Sequence, residues 1–114
     1  DVKVLYKGRQ VGTKMFGENG DYGACVTVQI VDSNIEIIIT DTNHPFVEME
    51  QYPAAGLSYN DFDLIVVKLG YAFPKLVENG KLCIMSLTQG ATLQDTSKLP
   101  FKLIMRPMYP IDEI

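Results

Sequence analysis

This chain of 114 residues has a single histidine, two cysteines and no stretch matching HExxH. One imidazole with two distant thiols offers no ligand spacing for a metal, so a self-contained His-rich zinc site is excluded. Cationic side chains are also few, 10 Lys and Arg against 14 Asp and Glu, for a net charge of −4 and a pI near 4.8. The basic ones are scattered, so the footprint of a nucleic-acid binder is missing. Nothing approaches the roughly 18 consecutive apolar residues of a membrane span. There is no GxGxxG and no Lys-Ser/Thr phosphate loop. Asp1 is preceded by neither an initiator Met nor a basic and apolar leader, and the chain opens inside a strand-like VKVLY. The expectation is an excised piece of a longer chain, not a secretory precursor, and a cytoplasmic location.

What is present is ordinary globular material, 46% hydrophobic and 21% charged, enough for one domain spanning 1–114. Val2 to Tyr6 alternates weakly, and Lys7-Gly8-Arg9 reads as a hairpin tip leading into residues 10–16. Residues 17–23, GENGDYG, are a glycine-rich loop with no helical pattern after it, so a surface loop outweighs a phosphate cradle. Residues 24–31 and 34–40 form the clearest hairpin. Val26, Val28 and Ile30 alternate with Thr27 and Gln29, and Asp32-Ser33-Asn34 supplies the turn, with Asn34 suited to a left-handed conformation. The second strand, IEIII, is uniformly apolar, as expected of a strand inside the sheet.

Asn43-His44-Pro45 looks like a helix start with proline in its first turn, and Pro53 with Gly56 ends that element. His44 draws attention as a base or ligand, but a polar cap at the helix start is the plainer reading. The stretch DLIVVKLGYAFP (63–74) then carries an apolar run typical of a strand buried on both faces. A short helix with Phe73, Leu76 and Val77 on one face follows, then a second apolar run, KLCIMSL (81–87). Two such strands around one helix make a β-α-β unit, with a connection close to the shortest that can cross over. The fold class expected is α/β, a mixed sheet in which N-terminal antiparallel hairpins precede the β-α-β unit with its short helices. If those two strands are parallel, the loops after them emerge at one sheet edge, where open α/β sheets present residues to ligands. This makes Lys68, Gly70 and Tyr71 in the first loop, and Thr88, Gly90 and Thr92 in the second, the candidate substrate-facing residues. Cys25 and Cys83 both sit inside apolar runs, which argues for buried free thiols over a nucleophile or a disulfide. Pro107 and Pro110 impose an extended, non-helical tail.

Three ordered segments, DLIVVKLGYAFPKL, IMSLTQGATLQDTSKLPFK and the terminal RPMYPID, resemble the C-terminal domain of the MlrC family. That family is named for microcystin degradation and classed as zinc metallopeptidases. The resemblance implies an accessory domain whose partner is the N-terminal catalytic domain of the same parent chain, with zinc held there by His and acidic residues. No position here matches a ligand motif, so this chain is expected to carry no catalytic or metal-binding residue of its own. Two roles fit. The loops of Lys68 and Thr88 would wall one side of the active cleft, or the domain would serve only packing between domains or formation of a homodimer.

Overall fold

A computed structural model of the chain describes residues 1–12, 20–86, 93 and 95–113. It divides into two compact units, Asp1–Cys83 and Ile84–Ile114. The first contains an antiparallel sheet of β1 (Val2–Val11), β2 (Asp21–Ile30) and β3 (Glu36–Thr40), in the order β1-β2-β3. The β2–β3 hairpin lies where alternation placed it, with Val28 opposite Ile37 and Val26 opposite Ile39. Its turn closes through Ile30 N–H donating to the Ile35 carbonyl at 3.0 Å. Asp32 takes the left-handed conformation (φ 59°), not Asn34. Both side chains tolerate it, and the Ser33 hydroxyl fixes the choice by donating to the Ile30 carbonyl and accepting from the Ile35 amide.

The hairpin tip expected at residues 7–9 does not form. β1 runs straight through it, pairing Lys7 with Val26, Gly8 with Cys25 and Arg9 with Ala24. Arg9 instead grips Asp21 across the ladder in a bidentate pair, Nη2 to Oδ2 at 2.8 Å. That bond, with the Gly23 amide, holds the Asp21 carboxyl below its usual range. The ladder is interrupted twice, between Val4 and Tyr6 and between Arg9 and Val11. β3, composed like an interior strand, lies at the edge of the sheet.

One face of the sheet is covered by the residues around α1 (Gln51–Ala54). The Thr27 hydroxyl donates to the Ala55 carbonyl at 2.6 Å, and the Cys25 thiol faces the Ala54 carbonyl at 3.9 Å. The buried apolar side chains are Tyr22, Cys25, Val28, Val47, Tyr52, Ala55 and Leu76, and Gln10, Thr27, Glu48 and Gln51 are buried with them. α1 begins later than Pro45 suggested. The Gln51 side chain explains the delay: its Oε1 accepts from the amides of Val47 (2.8 Å) and Glu48 (3.0 Å), and its Nε2 donates to the Pro45 carbonyl (3.2 Å). Those amides are satisfied without helical carbonyls, so residues 45–48 need no helix. Gly56, at φ 75°, ends the element.

A 3₁₀ turn (Tyr59–Asp61) leads into a segment over residues 63–69 that has no regular secondary structure. Ile65, Val67 and Leu69 are half-buried, whereas Leu64 and Val66 are 80% and 87% exposed. The segment thus has the alternation of a strand, but it joins no ladder among the described residues; residues 82–86 join none either, and all of them are exposed. The helix between them, α2 (Pro74–Asn79), forms as read, with Pro74 in its first turn and Leu76 buried. The fold is therefore mixed α/β, with an antiparallel sheet and short helices, and without the paired strands of a β-α-β unit among those residues. An apolar run signals that burial is wanted but does not name the surface that provides it.

In the second unit a 3₁₀ turn (Thr96–Lys98) is tied by an ion pair from Lys98 to Asp95 at 2.8 Å. The tail is non-helical, as its prolines require, but it is not extended throughout: the Met108 carbonyl accepts from the Ile111 and Asp112 amides, both at 2.9 Å, in a turn. Arg106 pairs with Asp112, whose other oxygen accepts from the Met108 amide at 2.9 Å.

Candidate functional site

β3 meets β2 along one edge only, and no ladder partner lies along its other edge among the described residues. On that side lies a groove of about 1240 Å³. Its walls are β3 itself, the bridge from Thr42 to Phe46, and residues 61–68, which run from the end of the 3₁₀ turn into the segment after it; Tyr52 and Leu57 also line it. Local sequence positions each wall. The β2–β3 turn sets β3, the Gln51 side chain pins the stretch carrying Pro45 and Phe46, and the 3₁₀ turn aims the segment past β3.

The groove combines apolar walls with unequal charge. Glu36, Asp61 and Asp63 contribute carboxylates, and none of the three joins an ion pair among the described residues; Lys68 contributes the ammonium. Glu36 and Asp61 also line a smaller adjoining hollow of about 280 Å³, which sets both carboxylates where the two cavities meet. His44 lines the groove and stacks on Tyr22, ring centres 5.0 Å apart. Behind it the Tyr22 hydroxyl donates to Glu48 Oε1 at 3.1 Å. His44 is a wall side chain beside a loop, not the cap of a helix start.

Tyr52 is the unusual member. It is only 3% exposed, wedged edge-on against Phe46 and Tyr59 at 5.5 and 5.1 Å, and its hydroxyl has no hydrogen-bond partner among the described residues. Burial, followed by the nearby Tyr59, pushes its pKa up to about 12. A buried hydroxyl left unpaired costs about 1–3 kcal/mol.

Of the six candidate residues read from sequence, Lys68 lines this groove. Gly70 and Tyr71 follow it but do not; Tyr71 is exposed and stacks on Phe73 at 4.9 Å. Thr88, Gly90 and Thr92 lie outside the described residues. Cys83 is exposed, unlike the buried Cys25. Sequence reading missed Tyr52 and the open edge of β3. The one available signal was the composition of IEIII, which suits a strand with neighbours on both sides.

Comparison with protein families aligns residues 1–103 with the MlrC C-terminus. The chain belongs to that family. The match ends at Leu103, so the RPMYPID tail of this MlrC C-terminal domain lies beyond it. No curated protein and no solved structure matched the chain. Among the described residues no three His, Cys, Asp or Glu side chains are grouped to hold a metal ion, so this part of the chain does not fit a zinc centre. No helix among them is long and apolar enough to cross a membrane.

Proposed function

We propose that this MlrC C-terminal domain is the accessory domain of a cytoplasmic zinc-dependent peptidase or amide hydrolase, contributing one wall of the active cleft and no catalytic group. The zinc and its ligands belong to the N-terminal catalytic domain of the same parent chain, the domain's principal partner. The observation that carries the reading is Lys68: a cation with no ion-pair partner among the described residues, on the wall of a groove whose other cationic candidate is a single histidine. Its ammonium would hold a substrate carboxylate, with the Tyr71 hydroxyl and those of Thr88 and Thr92 available beyond it. A charge-assisted hydrogen bond contributes about 1.5–3 kcal/mol, so Lys68→Ala in the intact parent should raise KM by roughly 10- to 100-fold. Unchanged kcat and KM in Lys68→Ala and Tyr71→Phe would reject the role at these residues.

A second reading, a module for domain packing or dimerisation, is favoured by a different observation. Leu64, Val66, Leu82 and Ile84 stand almost fully exposed, more apolar surface than an isolated domain usually leaves in water. Sedimentation of the chain separates its two forms, because a strict monomer at high concentration removes dimerisation and leaves packing against the parent.

A further inference from the structure

We infer that the groove beside β3 takes one extended strand of another polypeptide, apolar in alternation and carrying a lysine or arginine, which adds to the open edge of β3. This goes beyond the cleft-wall reading and does not need it. Four observations converge. First, the sequence of β3 is that of a strand with two neighbours, and among the described residues it has one. A bare edge of five residues, about 17 Å long, offers unpaired N–H and C=O groups in strand spacing. Adding a strand satisfies them, while the side chains select the sequence. Second, the groove exceeds the roughly 300–1000 Å³ of small-molecule pockets; its size suits a peptide. Third, Tyr52 lines the groove and its buried hydroxyl has no hydrogen-bond partner among the described residues, so a strand that opened this wall would give it one. Fourth, Glu36, Asp61 and Asp63 outnumber Lys68 there, which asks for a cation on the incoming strand.

A second copy of the chain fits less well. The outer edge of β1, also without a ladder partner among the described residues, is broken by two ladder irregularities and carries Lys3 and Lys7, the devices that blunt an edge against pairing. Pairing β3 with β3 of another copy would instead bring two sets of the three carboxylates together, in a chain already at −4.

The test is titration of the ¹⁵N-labelled chain with the capped peptide Ac-Lys-Val-Thr-Val-Thr-Val-amide, beside a version N-methylated at alternate residues and one with Glu for Lys. The expected result is saturable binding of the first peptide, shifts centred on residues 35–40, and at least tenfold weaker binding of the other two. Tyr52→Phe should weaken binding two- to tenfold without lowering thermal stability. Asp61→Asn with Asp63→Asn should weaken it and flatten its dependence on salt. Three outcomes overturn the inference: equal binding of the N-methylated peptide, no binding at millimolar peptide, or a β3 edge already protected by self-association in the free chain.

Discussion

Replacing Gln51 by leucine keeps the volume of a fully buried side chain and removes its polar end. In the native chain that end serves three backbone groups, the Val47 and Glu48 amides and the Pro45 carbonyl, at 2.8, 3.0 and 3.2 Å. Val47, Glu48 and Gln51 are all buried, so water does not readily take over. Each orphaned group costs about 1–3 kcal/mol. Allowing for partial relaxation of the loop, the expected loss is about 3–5 kcal/mol, a large share of the 5–15 kcal/mol typical of a domain. With a urea slope of about 1.5 kcal/mol per M, the unfolding midpoint should fall by roughly 2–3 M. Gln51→Glu is the informative companion. It keeps an acceptor for both amides but loses the donor to Pro45 and buries a charge, so it should fall between the two. A midpoint shift below about 0.5 M for Gln51→Leu would refute the claim that this side chain, and not a helix, organises residues 45–48.

Three further outcomes follow from the same structure. Gly56→Ala puts a Cβ within 2.6–2.9 Å of the Tyr6 side chain at a φ of 75°; it should cost about 1–3 kcal/mol and lower the Tm by roughly 5–15 °C, and an unchanged Tm would show that Tyr6 does not pack there. Because folding raises the Tyr52 pKa from 10.0 to about 12, its contribution to stability is complete below pH 10 and is lost as pH rises through 12. Tyr52→Phe should therefore lose less stability than wild type between pH 9 and 11.5 in urea titrations, and parallel curves would contradict the burial of that hydroxyl. A thiol reagent should modify Cys83 rapidly in the native chain and Cys25 only on unfolding; equal rates would mean that the packing of β2 on α1 is wrong.

The parts legible from sequence were those in which periodicity and turn chemistry act locally. The β2–β3 hairpin is written in the alternation of Val26, Val28 and Ile30, and α2 in Pro74 with its Leu76 face. Other readings failed where a distant partner intervened. Gly8 suggested a turn, but Arg9 reaching Asp21 draws β1 straight on along β2. His44-Pro45 suggested a helix start, but the Gln51 amide, six residues beyond Pro45, supplies the hydrogen bonds a helix would have made. The apolar runs at 64–67 and 82–86 announced a wish for burial, yet the partners that would bury them are not specified by the runs themselves. Of the candidate site, Lys68 was legible as a strand-end cation, whereas the unpaired hydroxyl of Tyr52 depends on how Phe46 and Tyr59 close around it. The family was legible from the ordered segments DLIVVKLGYAFPKL and IMSLTQGATLQDTSKLPFK, both inside the matched residues, and not from any period.

The two irregularities in β1 have a consequence for stoichiometry. A sheet with two clean edges is bivalent: each added strand exposes a new edge, and growth has no natural end. Here one side is blunted by shifted register and lysines while the other, β3, has no ladder partner among the described residues, so a strand that joined this sheet would be directed to β3 and not to β1. A receptor with one such edge would have one site per chain. Its occupancy would then follow the concentration of the partner in a simple, non-cooperative way.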